Sequence, residues 1–167
     1  IPANYYNEYA LLVRTMQQQK VVPKAIYSVL GGAASSYKFL KEFPEAANGI
    51  IDCNHWFNPK DKRSAELKKR AEAKGLFFSY EMFMTYTSMR LLADAIERAK
   101  STDRAAIIQA LETSTFSDHI MPYGPTKFVN GQNTGAQPLM TQVVKGDIKV
   151  IIPRDYREVD PIFPLKA

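Results

Sequence analysis

The sequence contains few of the residues that form covalent cross-links or metal sites. Its 167 residues include one cysteine, Cys53, and two histidines, His55 and His119. One cysteine excludes a disulfide within these residues, and the spacing of the three side chains fits no zinc site. We therefore expect no bound metal.

Long hydrophobic runs and a one-sided charge distribution are also lacking. No apolar run approaches the roughly 18 residues that span a bilayer. The formal net charge is +5, but Asp61 and Glu66 interrupt the densest basic stretch, residues 60–70, as on a solvated helix face. A nucleic-acid-binding face would combine basic residues with aromatic ones. We expect no nucleic-acid partner.

The first third of the chain alternates between strand and helix patterns. Residues 1–4 are typical of a strand end, and apolar positions spaced three and four apart predict a helix over 7–19. Apolar runs predict strands over 25–30 and 49–53, separated by a short helix that Pro44 ends. These connections are too long for hairpins, so they predict an α/β fold with a parallel sheet between helix layers.

Helices dominate the middle of the chain, and strands follow them. Helices are predicted over 58–74, 79–99 and 104–112, the last of them capped by the Ser101-Thr102-Asp103 segment. A hairpin is predicted near the end, with strands over 139–144 and 148–152.

Two short patterns contain residue types that could carry catalytic chemistry. Cys53 and His55 would point to one face of a strand, so a Cys–His hydrolase is an open alternative, although no third residue is in place to orient the histidine. Gly31-Gly32 lies between a strand and a helix, but it lacks the lysine of a phosphate loop and the third glycine of a dinucleotide site. We expect no cofactor and no enzymatic activity.

Residues suited to hold a small organic solute follow the predicted strands. Tyr5 and Tyr6 offer flat apolar rings with a hydroxyl group. The small-residue loop 31–36 offers backbone N–H groups at a helix start, which favour an anion such as a carboxylate, and Ser35 and Ser36 add hydroxyl donors. The carboxyl ends of strands in an open α/β sheet are where ligands bind.

In their order and spacing, these segments resemble the type I periplasmic solute-binding proteins of ABC importers, in particular the leucine/isoleucine/valine-binding group. The resemblance rests on Pro2-Ala3-Asn4-Tyr5-Tyr6, the strand and loop over 25–36, Ala46-Ala47-Asn48-Gly49-Ile50, the helix over 86–99, and Tyr123-Gly124-Pro125 with Phe128. It covers nearly all of this chain but only the C-terminal half of the family's length. The N-terminal half of the same protein is therefore an expected partner, as is the membrane permease of an importer.

The resemblance implies two three-layer α/β/α lobes that are joined by hinge strands and close on a solute, and this chain would supply parts of both. It assigns residues 1–53 to the second lobe, 54–134 to the first lobe after a hinge crossing, and 135–167 to a hairpin and tail that return to the second lobe. It implies a periplasmic or other extracytoplasmic location. The implied ligand-binding residues are Asn4, Tyr5, Tyr6, Leu30, Gly31, Gly32, Ala33, Tyr80 and Glu81.

One departure from the family pattern bears on the solute. Amino-acid-binding members place an acidic residue in the loop after the second strand, where it holds the ammonium group of the ligand, and residues 30–34 contain none. A buried ammonium group without a counter-charge is costly. We therefore predict a carboxylic acid, aromatic or aliphatic, while Glu81 leaves an amino acid open. A ligand-sensing regulatory protein of the same fold is the alternative function.

Overall fold

A computed structural model describes residues 1–2, 4–29 and 32–165. Its elements are, in chain order, α1 Tyr6–Gln18, β1 Tyr27–Val29, α2 Tyr37–Glu42, α3 Pro44–Ala47, β2 Ile51–Asn54, α4 Lys62–Ala73, α5 Tyr80–Ala99, α6 Arg104–Glu112, β3 Phe128–Val129, β4 Gln132–Asn133, β5 Leu139–Val144 and β6 Asp147–Ile152. A short 3-10 turn, Arg154–Tyr156, follows the last strand. None of the described helices combines the length and the apolar composition needed to cross a bilayer.

Four strands form one mixed sheet in the order β1-β2-β5-β6. The first two are parallel, whereas β5 runs antiparallel to both β2 and β6. The predicted parallel pair and the predicted closing hairpin are both confirmed. A separate two-stranded ladder pairs β3 with β4.

The start of α6 agrees with the sequence-based prediction, whereas the role of Pro44 differs from it. The carboxylate of Asp103 caps α6 as predicted, because it accepts hydrogen bonds from the backbone N–H groups of Ala105 and Ala106. Pro44 does not simply end a helix: it begins α3 at the first helical position, where proline lacks only an N–H group that has no helical partner. Residues 1 and 2 belong to no strand, contrary to the expectation for the start of the chain.

Aromatic side chains from distant segments form one connected core. Tyr9 and Phe39 pack edge to face at 5.7 Å between ring centroids, and Trp56 and Phe83 do the same at 5.2 Å. All four rings are fully buried and belong to the same cluster, although the first pair comes from the segment assigned to the second lobe and the other pair from the segment assigned to the first. The division of the chain into lobes stays a prediction.

The chain leaves the sheet and returns to it at neighbouring points. Asn54 at the end of β2 and Leu139 at the start of β5 are partners in the strand register. The segment between them contains α4 to α6 and the small β3–β4 ladder. The predicted hinge crossing between the lobes would fall at these two neighbouring points, and it stays a prediction.

Candidate functional site

A groove of about 460 Å³ opens where the loop after β1 meets the start of α5. This volume lies within the range of small-molecule sites. Aromatic walls, hydroxyl groups, one acidic side chain and one basic side chain are present together. The lining residues are Tyr5, Tyr6, Gly32, Ser36, Lys38, Phe77, Ser79, Tyr80 and Glu81.

Backbone hydrogen bonds hold the two sides of the groove together. Ser36 and Ser79 form an isolated antiparallel bridge. The backbone N–H of Tyr80 donates to the carbonyl oxygen of Ser35 at 3.2 Å. The loop 32–36 and the residues before α5 therefore form a single wall.

Gly32 lies next to the ring of Tyr80 and adopts a left-handed backbone conformation. Its φ is +70°, a conformation that side chains disfavour. A Cβ atom at this position would meet the Cε1 and hydroxyl oxygen of Tyr80 at 3.5 Å. Burial raises the pKa of Tyr80, with the adjacent Glu81 adding to the effect, so the phenol stays protonated as a hydrogen-bond donor.

Lys38 is a lining residue that the sequence reasoning missed. Its ammonium nitrogen lies 4.8 Å from the ring centroid of Tyr6 and 3.8 Å from the carboxylate of Glu42. The Tyr6 hydroxyl donates to the same carboxylate, so the three side chains form one cluster. A signal for Lys38 was present in the sequence, because a basic residue in the first turn of a helix opposes the helix dipole.

The structure brings together part of the residue set that the resemblance implied. Asn4 is exposed but does not line the groove. Ala33 is fully buried in the core, since the loop turns inward at that point, and so it presents no surface to a ligand. Leu30 and Gly31 lie outside the described residues. The implied residues that do line the groove are Tyr5, Tyr6, Gly32, Tyr80 and Glu81.

A row of buried polar side chains crosses the sheet close to the groove. Ser28 on β1, Asp52 on β2 and Thr141 on β5 are neighbours in the strand register, and each is at most 1% exposed. The hydroxyl of Ser35, in the groove-forming loop, donates to the Asp52 carboxyl group. Burial raises the pKa of Asp52 above the usual carboxyl value.

The structure gives Cys53 and His55 no shared geometry. Across the part of the chain that the structure describes, no hydrogen bond joins the thiol to the imidazole. Cys53 lies near Tyr27, whose pKa is raised first by burial and then by the neighbouring thiol. His55 lines a separate groove of about 170 Å³ together with Met84 and Thr87.

His119 is held in the interior by the backbone. Its Nε2 lies 3.1 Å from the carbonyl oxygen of Gly124, and its Nδ1 accepts the N–H of Met121 at 3.3 Å. Burial lowers the pKa of His119, so the ring is neutral near pH 7. This histidine has a structural role at the turn.

Residues 2–148 match the family described as periplasmic binding protein. Because the match covers most of the chain, the chain belongs to the periplasmic binding protein family. No match is found among curated protein sequences.

Solved structures agree with the type I periplasmic binding protein fold. The substrate-binding protein LivJ of a branched-chain amino acid transporter from Streptococcus pneumoniae, solved with isoleucine, shares 20% identity at a TM-score of 0.71 over 90% of this chain and 43% of its own. The leucine-binding protein LivK from Thermotoga maritima MSB8 shares 22% identity at a TM-score of 0.68, over 89% of this chain and 42% of its own.

An extracellular ligand-binding receptor from Rhodopseudomonas palustris HaA2 shares 19% identity at a TM-score of 0.67, over 89% of this chain and 45% of its own. The chain spans less than half the length of each of these structures. At such identities the likeness shows the fold, and the fold expectation is confirmed.

Proposed function

We propose that the chain is part of the extracytoplasmic solute-binding component of an ABC importer. A small organic solute would lie in the groove and be enclosed when the two lobes close about the crossings at Asn54 and Leu139. The N-terminal half of the same protein would supply the opposing wall of the cleft. A membrane permease would accept the solute, and no chemical step would take place.

The composition of the groove is the observation that carries this proposal. The rings of Tyr5, Phe77 and Tyr80 offer flat apolar surface, and the ammonium group of Lys38 offers a charge that pairs with a carboxylate. The hydroxyl groups of the serine bridge add neutral donors. We therefore propose a carboxylic acid as the solute, and an aromatic acid as the best match to the ring-lined walls.

An amino acid is the competing solute. Glu81 lines the same groove and could pair with an ammonium group. The names of two structural neighbours refer to leucine binding and to a complex with isoleucine, which supports solute binding by this fold. The two classes differ in one charge, so they can be separated by paired variants.

Isothermal titration calorimetry of the intact protein, with both walls of the cleft present, tests the proposal with benzoate, isobutyrate, L-isoleucine and the uncharged benzamide. We expect benzoate to bind, benzamide to bind about two- to fivefold more weakly, and Lys38→Met to remove the difference, since Lys38 is 47% exposed and also faces Glu42, so its contact with a carboxylate contributes about 0.5–1 kcal/mol. Lys69→Met is the matched control, because that lysine is exposed on α4.

The same titrations distinguish the alternatives. One outcome would show that the solute is an amino acid and not a simple carboxylic acid. In that case L-isoleucine binds, Glu81→Gln loses this binding, and neither benzoate nor isobutyrate binds. If none of the four compounds binds, solute capture by this groove is contradicted.

A further inference from the structure

A fully buried carboxyl group, that of Asp52, lies close to the groove, and the proposed function gives it no task. Its side chain lies on the same face of the sheet as Ser28 and Thr141, its neighbours on the adjoining strands. The amide nitrogen of Asn54 approaches its Oδ2 at 3.5 Å. Among the described residues, no ion pair includes Asp52. A buried carboxylate without a counter-charge is costly.

The titratable groups around Asp52 carry no positive charge. Tyr9 approaches it from α1, Tyr27 from β1 and Tyr80 from α5, and Cys53 follows it in β2. Burial is the first cause that raises the pKa of each of these three phenols; the next is Asp52 for Tyr9, the Cys53 thiol for Tyr27 and Glu81 for Tyr80. Nothing in this set would neutralise an ionised Asp52.

The hydrogen bonds of Asp52 lead directly to the groove. The Ser35 hydroxyl donates to its Oδ2, and the Ser35 carbonyl oxygen accepts the backbone N–H of Tyr80 at 3.2 Å. Its Oδ1, the Ser28 hydroxyl and the Tyr9 hydroxyl are buried atoms without a hydrogen-bond partner within the described residues. A protonated carboxyl group can donate in such surroundings, whereas a carboxylate can only accept.

We propose that protonated Asp52 is the positioning residue that holds the loop 32–36 in its groove-forming conformation, and that its ionisation loosens this loop and weakens the binding of anionic solutes. Ionisation places an uncompensated charge in the interior, and local opening to water relieves it. The same charge repels a carboxylate in the groove. The effect on affinity rests on the proposed function, whereas the loosening of the loop does not.

The pH at which this occurs has a defined direction. Because burial raises the pKa of Asp52, the transition lies at higher pH than for an exposed aspartate. At an effective dielectric constant of about 20 and a separation of about 10 Å, one unit charge changes the affinity for an anion by roughly tenfold.

Amide hydrogen exchange tests the loop without any ligand. The N–H of Tyr37 donates to the carbonyl oxygen of Phe78 at 3.1 Å, and the N–H of Tyr80 to that of Ser35 at 3.2 Å, so both amides report the loop contact. After correction for the intrinsic pH dependence of exchange, we expect both amides to exchange about tenfold faster above the transition. Asp52→Asn still accepts from Ser35 but cannot ionise, and should show no transition.

Benzoate titrations at several pH values test the effect on affinity. Above about pH 5.5 benzoate itself stays ionised, so a pH dependence belongs to the protein. We expect the Kd for benzoate to rise about tenfold with pH in the wild type and in Asp155→Asn, which changes an exposed carboxylate. In Asp52→Asn the Kd should stay constant.

Each outcome supports or overturns a stated part of the proposal. Equal pH dependence of exchange in Asp52→Asn and the wild type would overturn it. A transition in exchange without benzoate binding at any pH would support the positioning role and count against the proposed function. If Asp52→Asn does not fold, Ser35→Ala is used in its place. We expect the Tyr80 amide to exchange faster at low pH in this variant. Unchanged exchange would refute the role of the Ser35–Asp52 hydrogen bond in holding the loop.

Discussion

Tyr37 joins α2 to a charged cluster on α4 and β6, and its hydroxyl group can be removed while the ring is kept. The hydroxyl donates to the carboxylate of Asp147. The ammonium group of Lys68 lies 3.7 Å from the Tyr37 ring centroid and 3.9 Å from Asp147, and that of Lys149 lies 2.8 Å from Asp147. Tyr37→Phe keeps the ring contact with Lys68 and removes one hydrogen bond to a charged acceptor.

Tyr37→Phe should lower the free energy of unfolding by about 1–2 kcal/mol. A hydrogen bond to a charged group contributes about 1.5–3 kcal/mol net. The lower part of this range applies, because the Asp147 side chain is 38% exposed and keeps Lys149 as a partner. For a chain of this size the corresponding fall in Tm is roughly 2–8 °C.

The size of this loss should depend on pH. Burial opposes the ionisation of Asp147, but hydrogen bonds from Lys149 and Tyr37 outweigh it and lower the pKa of the carboxyl group. A carboxyl group with a lowered folded-state pKa stabilises the fold fully above its unfolded pKa of about 3.9, and this contribution is lost as pH falls through the folded value. The difference between wild type and Tyr37→Phe should therefore shrink below about pH 4.

Urea unfolding followed by circular dichroism at pH 7 and at pH 3 measures both quantities. Tyr5→Phe is the control, because it removes the hydroxyl of a side chain that is 84% exposed and should change stability by less than about 0.5 kcal/mol. Equal losses in the two variants at pH 7 would refute the reasoning, as would a Tyr37→Phe loss that grows on acidification.

Two further changes should destabilise the fold in urea unfolding. Gly49→Ala should cost about 1–3 kcal/mol, since φ is +84° and the Leu165 side chain occupies the space of the new methyl group. Gly131→Ala is the control for the cost of the backbone conformation alone, because φ is +76° there and no atom lies within 4 Å of the new methyl group. An equal loss of stability in both variants would show that the clash with Leu165 contributes nothing. Asp103→Ala should cost about 1 kcal/mol by removing two cap hydrogen bonds of 2.9 and 3.1 Å, and an unchanged midpoint would contradict that role.

Much of the fold was predictable because local patterns mark its elements. The helices over 79–99 and 104–112 were predicted to within one residue, since long apolar periodicity and a capping aspartate define them. The closing hairpin was predicted from two apolar runs around a short turn. Pro44 was predicted only to end a helix, whereas it also begins α3, because a proline can follow one helix and start the next.

The groove was predictable only in part, because long-range pairing forms it. Tyr5 and Tyr80 were expected to meet through the family resemblance, and they line one groove. The polar row of Ser28, Asp52 and Thr141 was not predicted, since these residues become neighbours only through the register of three strands. Ala33 was placed at the site through the same resemblance, and the structure buries its side chain.

Chemical-shift mapping of the labelled protein with benzoate tests the central claim most directly. The account predicts that shifts concentrate at the amides of Gly32, Ser36 and Tyr80, which border the groove, and that Lys38→Met raises the benzoate concentration needed to produce them. Shifts that concentrate instead around His55, at the separate small groove, or that appear at the same benzoate concentration in Lys38→Met, would contradict the assignment of the solute site.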